Sequence, residues 1–403
     1  MVEIISKNKK MNILYITNKP IYPIIDGGCF AMESFLNALL SCEYSIKYLT
    51  LSTQKHPFNI NHFPEKIKRK TSPESININT KFSLFKAFNT LITNTSYNTV
   101  RFYSKEFRDK ILLNINNNTS IIILESVYLL EYLDEIKKHF KGKIYVRTHN
   151  VEHLIWEDYA ITSKSIIKRT IYNHLKNKLK KFEINHLNSL DGIISISKTD
   201  TLIFKQLGIE TPVHTLSVGI ENRMNETENI TFNSNHFFFI GAYNWKPNRD
   251  AAEQLIHQIF PQIQNVIPNA ELHIGGSFMP DYFKNYSSSS IHLHGEIKDV
   301  HSFLLQSGTL IAPISSGSGI RIKILECLAL GVPVIGTEIA LKGLELSPAY
   351  CVNSISDYIT YSLQINSNRH LIDDYKNDAF QFIQQHHSKE FITNKLKKII
   401  SGE

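Results

Sequence analysis

Short apolar runs bounded by turn residues alternate with longer stretches of helical periodicity along the whole chain. A parallel sheet with helices on both faces produces this pattern, because its strands are buried on both sides and lose strict apolar/polar alternation. In the first half, residues 12–17, 46–51, 121–124, 144–147 and 192–195 read as buried strands. In the second half, residues 237–241, 270–275, 291–294, 309–313 and 332–336 do the same, and 250–260 fits a helix that stops before Pro261. The stretch 221–234 is rich in Asn, Thr, Ser and Glu and has no periodic apolar face, so it reads as a linker. The expected fold class is therefore α/β, with two Rossmann-like doubly wound domains covering residues 1–225 and 226–385.

Length agrees, since 403 residues exceed one ordinary core and suit two domains of about 200 residues each. Hydrophobic residues make up 42% and charged residues 20%, which points away from disorder. Lys and Arg number 44 against 37 acids, a net charge of +7, which favours anionic ligands or surfaces without naming one. The four cysteines, Cys29, Cys42, Cys327 and Cys351, show no zinc spacing, and no motif around Cys29 supports a nucleophile. The first ten residues lack the apolar core of a signal peptide, Met11 is a plausible natural start, and no run reaches the roughly 18–20 apolar residues of a membrane span. A cytoplasmic protein is expected, with peripheral association at the inner face of the cell membrane left open.

The most informative segment is Gly317-Ser-Gly-Ile-Arg-Ile-Lys-Ile-Leu-Glu-Cys-Leu-Ala-Leu-Gly-Val-Pro-Val-Ile-Gly-Thr337. Ile320, Ile324, Leu325 and Leu328 fall at helical spacing, Ser318 offers an N-cap hydroxyl, and Gly331-Val-Pro stops the helix. Arg321 and Lys323 then stand in the first turn, where a fixed cation costs about 0.3–1 kcal/mol against the helix dipole. A phosphate bound there would offset that cost, and two cations suit a diphosphate. Glu326, one turn on, has the chemistry to accept hydrogen bonds from paired hydroxyls such as those of a ribose. An exposed Lys323–Glu326 helix pair beside a solvated Arg321 fits the same spacing.

This segment resembles the donor-site signature of glycosyltransferase family 4, retaining enzymes of the GT-B fold, in the variant Gly-Ser-Gly-Ile-Arg-x-Lys-x-x-Glu. The resemblance extends to Asn12-Ile-Leu-Tyr-Ile-Thr-Asn-Lys-Pro-Ile-Tyr-Pro23 with Gly27-Gly28, to Thr148-His-Asn-Val-Glu152, to Asp191-Gly-Ile-Ile-Ser-Ile-Ser-Lys198 and to Phe239-Ile-Gly-Ala-Tyr-Asn-Trp-Lys-Pro-Asn248, in the family's order. It implies two domains facing across a cleft, with the C-terminal helix, 386–403, packing back on the first domain. It also implies donor contacts from Gly27, Gly28, Gly241, Ser318, Gly319, Ile320 and Glu326, diphosphate stabilisation by Arg321 and Lys323, and a positioning role for His149, with Glu152 in support.

Three departures from the family pattern stand out. Ser318 replaces the family's usual acid, and Ala242 and, roughly, Asn248 replace its usual Arg and Lys. Arg321 and Lys323 are expected to make up that lost positive charge. No cofactor is implied beyond a nucleoside diphosphate sugar as substrate, and no Asp-x-Asp triplet or comparable cluster suggests a metal. The dinucleotide fingerprint Gly-x-Gly-x-x-Gly is absent near Gly27, which speaks against a nicotinamide enzyme.

Residues 164–181 carry seven Lys or Arg around the stripe Ile167, Ile171, Leu175 and Leu179. The segment suits either an anionic membrane surface or a helix packed on its own sheet with a solvated face. The combined expectation is a retaining, metal-independent glycosyltransferase acting on a glycan or lipid-linked acceptor in surface polysaccharide biosynthesis. A catalytically silent GT-B module that binds nucleotide sugar or glycan, or a basic membrane adaptor, remains as the alternative. Nucleic acid is not an expected partner, because no aromatic-rich basic motif accompanies the charge.

Overall fold

The computed structural model describes residues 11–81, 95–221, 223, 232–306, 308–317 and 319–402. The first ten residues, Ser318 and much of the expected 221–234 linker lie outside the described residues. The chain divides into two compact units, Met1–Ser217 with Thr393–Glu403, and Val218–Ile392. The division thus falls before position 221 rather than at 225.

The first unit holds seven parallel strands: β1 (Asn12–Thr17), β2 (Ser45–Ser52), β3 (Glu74–Asn77), β4 (Thr119–Glu125), β5 (Lys143–Thr148), β6 (Gly192–Ser195) and β7 (Val213–Thr215), in the order β3-β2-β1-β4-β5-β6-β7. The second holds β8 (His236–Ile240), β9 (Glu271–Gly275), β10 (Ile291–Gly295), β11 (Thr309–Ala312), β12 (Val334–Thr337) and β13 (Tyr350–Val352), in the order β10-β9-β8-β11-β12-β13. The chain reverses direction across each sheet between β1 and β4 and between β8 and β11. In doubly wound sheets, ligands gather beyond the carboxyl ends of the strands at such a switch point.

Burial explains the strand sequences. Phe237, Phe238 and Phe239 of β8 are all 0% exposed, so successive residues on opposite faces are equally apolar. The strands absent from the sequence reading, β3, β7 and β13, are edge strands of four, three and three residues. Such short edges carry little apolar signal.

The expected stop before Pro261 is not found. The helix Lys246–Gln254 runs through a wide π turn, Leu255–Ile259, into Phe260–Val266. The Phe260 N–H reaches back to the Leu255 carbonyl, and this widened turn accommodates the proline ring at the next position.

Two glycines mark where backbone meets backbone in the second unit. A Cβ on Gly276, whose φ is +134°, would lie 1.9 Å from the Gly241 carbonyl oxygen, and one on Gly308 would lie 2.1 Å from that of His236. Gly208 also has positive φ, +76°, but has open space around it. Gly276→Ala should therefore destabilise by about 3 kcal/mol or more, against about 1 kcal/mol for Gly208→Ala, in urea unfolding followed by fluorescence.

Candidate functional site

In the first unit, a cavity of about 180 Å³ opens beyond the carboxyl ends of β1, β4 and β5, lined by Lys19, Gly28, Ser126, Tyr128, His149 and Glu152 among others. Beneath it lies a network of buried charge. Glu125, the last residue of β4, and Arg147, on β5, have side chains 1% exposed and form an ion pair. The Tyr15 hydroxyl donates to Glu125 Oε2 at 2.6 Å, and the Arg147 guanidinium sits 4.7 Å from the Phe35 ring centroid. Burial alone would push the Glu125 carboxyl up, but Arg147, His149 and the tyrosine hold it below the ordinary carboxylate range.

His149 follows the last residue of β5 and is one-fifth exposed. Its Nε2 contacts the Glu125 carboxylate, which requires the hydrogen on Nε2. Burial lowers the imidazole's pKa and Glu125 opposes that shift; the net direction is down, toward the neutral ring. Glu152 borders the same cavity and accepts from the Tyr128 hydroxyl at 2.5 Å. Burial, with the nearby Glu183 carboxylate, raises Glu152 to about 7. Its backbone N–H, at the start of the helix Glu152–Thr162, donates to Glu183 at 3.0 Å.

The glycine pair departs from expectation. Gly27 and Gly28 are not a loop ahead of a helix beginning near Ala31. They open the helix Gly27–Ser41, with Asp26 as N-cap accepting from the Cys29 N–H at 2.8 Å. Lys19 reaches both Asp26 oxygens at 2.7 Å and His56 lies 3.2 Å away, so this helix end already holds a carboxylate of the chain. Although burial favours the protonated form, His56 and Lys19 hold Asp26 well below its usual range. Gly28 lines the cavity, whereas Gly27 is exposed and does not. A Cβ on Gly28 would stand 3.0 Å from the Lys19 ammonium, so the glycine leaves room for that side chain.

Sequence reasoning missed Lys19, Asp26, Glu125 and Arg147. The readable signal was that Glu125 and Arg147 are charges inside otherwise apolar strands. Ser126 was also missed: it holds φ +111°, a strained value for a residue with a Cβ, and lines the cavity directly after β4.

In the second unit, the helix Ile322–Ala329 begins one residue after Arg321, which is its N-cap. This corrects the expected Ser318 cap and moves Arg321 out of the first turn. Lys323 does stand there, but the chain itself compensates its charge. The ammonium donates to the Ile240 carbonyl at 2.7 Å and to Asn248 Oδ1 at 2.9 Å, and lies 4.0 Å from the Phe239 ring centroid. The dipole anomaly therefore has an internal cause as well as any ligand. Burial, with Arg321 nearby, lowers Lys323 from 10.5 to about 7.

Arg321 donates to the Ser316 carbonyl at 3.2 Å. Gly317, with φ +102°, lies under this guanidinium: a Cβ there would meet Arg321 at 3.0 Å. Gly319 is buried with φ +78°, and Ile320 is half-buried. Glu326 is half-buried on the helix, raised by burial to about 7 despite Arg223.

Gly241, at the end of β8, does not offer its own N–H to a ligand. It donates to the Gly275 carbonyl at 3.1 Å, and the Tyr243 N–H donates to Ser277 at 2.9 Å. Asn248 bonds both the Ala242 carbonyl, at 3.1 Å, and Lys323. Gly241, Asn248, Arg321 and Lys323 thus come together at the carboxyl end of the second sheet.

Both sheets and their carboxyl-end side-chain groups define a chain with two doubly wound, Rossmann-like units. Residues 234–348, within the second unit, match the family model of Glycosyl transferases group 1. No curated protein matches the chain in sequence. Among solved structures, sucrose-phosphate synthase from Thermosynechococcus elongatus is similar with TM-score 0.71 at 12% identity, covering 98% of this chain and 99% of that one. An S. aureus TarM variant in complex with fondaparinux, α-GlcNAc-glycerol and UDP aligns with TM-score 0.64 at 12% identity over 96% and 99%. Anabaena HepE in complex with UDP and glucose aligns with TM-score 0.64 at 11% identity over 98% and 100%. The fold is that of the GT-B glycosyltransferases, and the family match with these neighbours supports a group 1 glycosyltransferase.

Removing the Glu125 charge would leave Arg147 buried without its partner. Glu125→Gln should destabilise the protein by about 3–5 kcal/mol in urea unfolding, and adding Arg147→Met should recover part of that loss.

Proposed function

We propose that the chain is a retaining, metal-independent glycosyltransferase that moves a sugar from a nucleoside diphosphate sugar to a glycan or lipid-linked acceptor in surface polysaccharide biosynthesis. The observation that carries this reading is the grouping of Arg321 and Lys323 at the carboxyl end of the second sheet, inside the matched 234–348 segment. As the bond from the anomeric carbon to the diphosphate lengthens, negative charge builds on the departing phosphate. Cations held ready in a poorly solvated site stabilise that charge without reorganising.

In this reading the diphosphate draws the Lys323 ammonium and the Arg321 guanidinium toward it. Glu326, when ionised, accepts from the ribose hydroxyls, and Gly319 and Ile320 shape the approach to the sugar. In the first unit, His149 positions the transferred sugar with its ring held by Glu125. Glu152 supports that arrangement through Tyr128. The acceptor attacks from the face the diphosphate leaves. A silent binding module is the second reading, favoured by serine at position 318 where the family resemblance expects an acid. Slow hydrolysis of the donor without acceptor distinguishes the two, since a binding module shows none.

Lys323 also sets a pH dependence. With its pKa held near 7 in the folded protein, most chains lose that proton above pH 7, and a bound anion restores it. UDP binding should weaken from pH 7 to pH 9 with proton uptake, measured by calorimetry in buffers of different ionisation enthalpy. Lys323→Arg should flatten the profile, and Lys323→Met should weaken UDP binding about tenfold or more. His149→Ala should leave UDP affinity within about twofold while lowering turnover by roughly 10²-fold or more.

A peripheral membrane contact belongs to the same proposal. No helix among the described residues is long and apolar enough to cross a membrane. The helices Glu152–Thr162 and Ile166–Leu187 pack as a pair, and around their junction Ile161, Ile166, Ile167 and Ile171 are 72%, 77%, 74% and 51% exposed. Leu179, on the same expected stripe, is buried, so only the N-terminal part of the stripe is available. Apolar side chains beside Lys164, Lys168 and Arg169 suit an anionic lipid surface. The chain should float with vesicles containing phosphatidylglycerol, and Ile167→Glu with Ile171→Glu should abolish flotation without altering UDP binding.

A further inference from the structure

The opening ends of β8, β9 and β10 gather imidazoles that sugar transfer does not use. His236 lies on β8, Glu271 and His273 on β9, and His292 and His294 on β10. The strand register sets His236 beside Glu271 and His273 beside His292. Alternate residues of a strand share a face, so these side chains meet across three strands. The His273 ring lies 4.8 Å, 4.9 Å and 5.2 Å from those of His236, His292 and His294. The pairs Glu271-Leu-His273 and His292-Leu-His294 were the readable signal, but they become a cluster only once the strands are aligned.

The polar atoms converge as acceptors. Glu271 Oε2 lies 3.7 Å from Nε2 of both His236 and His273, too far for hydrogen bonds. His273 Nε2 is buried with no hydrogen-bond partner. Its Nδ1 lies 3.0 Å from His294 Nε2, and a hydrogen held between those two nitrogens on Nδ1 leaves a bare lone pair on Nε2, facing a carboxylate. His236 Nε2 accepts from the Asn233 amide at 2.9 Å, so it too is unprotonated.

We propose that His236, Glu271 and His273 bind a divalent transition-metal ion of the zinc class. One donor atom from each of the three lies within 4.8 Å of the others. Ligand atoms around tetrahedral zinc stand roughly 3.3–3.5 Å apart, given bond lengths of about 2.0–2.2 Å, so the group closes on an ion by small side-chain rotations. The ion takes the place of the Asn233 amide at His236. His292 Nε2, 3.1 Å from Glu271 Oε2, orients the carboxylate, and His294 orients His273, as partners behind metal ligands do. His236 opens β8 and stands roughly 13 Å along the strand from Ile240, while His273 is level with Phe238, roughly 7 Å from it, so the site lies toward the end of the sheet away from the donor-end residues. The metal joins three strands and takes no part in the transfer chemistry.

Untagged full-length protein, stripped with EDTA, is titrated with CoCl₂ and then ZnCl₂. The expected result is one Co²⁺ per chain with visible absorption of a four- or five-coordinate nitrogen and oxygen site, displacement by Zn²⁺, and an unfolding midpoint raised by several degrees. Glu271→Gln and His273→Gln should each abolish the absorption, and His292→Gln should weaken binding about 10–100-fold, with UDP affinity unchanged throughout. If His273→Gln fails to fold, His236→Gln, at the first position of its strand, carries the same test. Absence of stoichiometric Co²⁺ binding, or equal affinity in the parent and in His236→Gln, overturns the proposal.

Discussion

The Lys323 ammonium is the pivot of the second unit. It ties the helix Ile322–Ala329 to the last carbonyl of β8 and to Asn248, with the Phe239 ring beneath it. A lysine so placed serves the fold before it serves a ligand, because its removal leaves the Asn248 side chain and a strand-end carbonyl without their donor. The same burial that makes it structural lowers its proton affinity, and a lowered lysine beside Arg321 responds strongly to an arriving anion. In the proposed function, stability and anion recognition therefore draw on one side chain.

The first unit solves the opposite problem, a carboxylate among apolar strands. Glu125 is tolerated because Arg147, Tyr15 and His149 surround it, each contact replacing water that the sheet excludes. The Glu125 carboxylate sets the hydrogen of His149 on Nε2, while burial shifts the ring toward its neutral form at the rim of the cavity. Asp26 shows a related economy. It caps the helix Gly27–Ser41 and is itself held by Lys19, so the helix end expected to receive a foreign anion already carries one of the chain's own. Whatever approaches this cavity meets the balance of Lys19 and Asp26 rather than a bare helix dipole.

The ten strands other than β3, β7 and β13 were all legible because burial on both faces leaves uninterrupted apolar runs, as in Phe237-Phe-Phe. The short edge strands were not, since Glu74–Asn77 and Val213–Thr215 bury too little to be distinctive. His149, Gly28, Arg321, Lys323 and Glu326 were singled out from position relative to predicted strand and helix ends and from family resemblance, and each is found near the carboxyl end of its sheet or on the helix just beyond. Their partners were hidden. Nothing in the order of residues links Lys323 to Ile240, 83 positions away, or Arg147 to Glu125 across a strand pair. The Pro261 error has the same root, because a proline ends a helix only when no wider turn is available to receive it.

By itself the sequence determined the alternation of buried strand and helix, the two-part division, the absence of a dinucleotide fingerprint and the segment whose family resemblance leads to the proposed donor site. These are local properties, set by side-chain volume, polarity and spacing along one chain. The tertiary structure alone decided which charges meet: Lys323 with a strand-end carbonyl, Asp26 with Lys19, Glu125 with Arg147, and His273 with His236 and Glu271. The reason is that burial and Coulomb energy depend on distance in space and on excluded water, and neither exists until parallel strands far apart in the chain lie side by side.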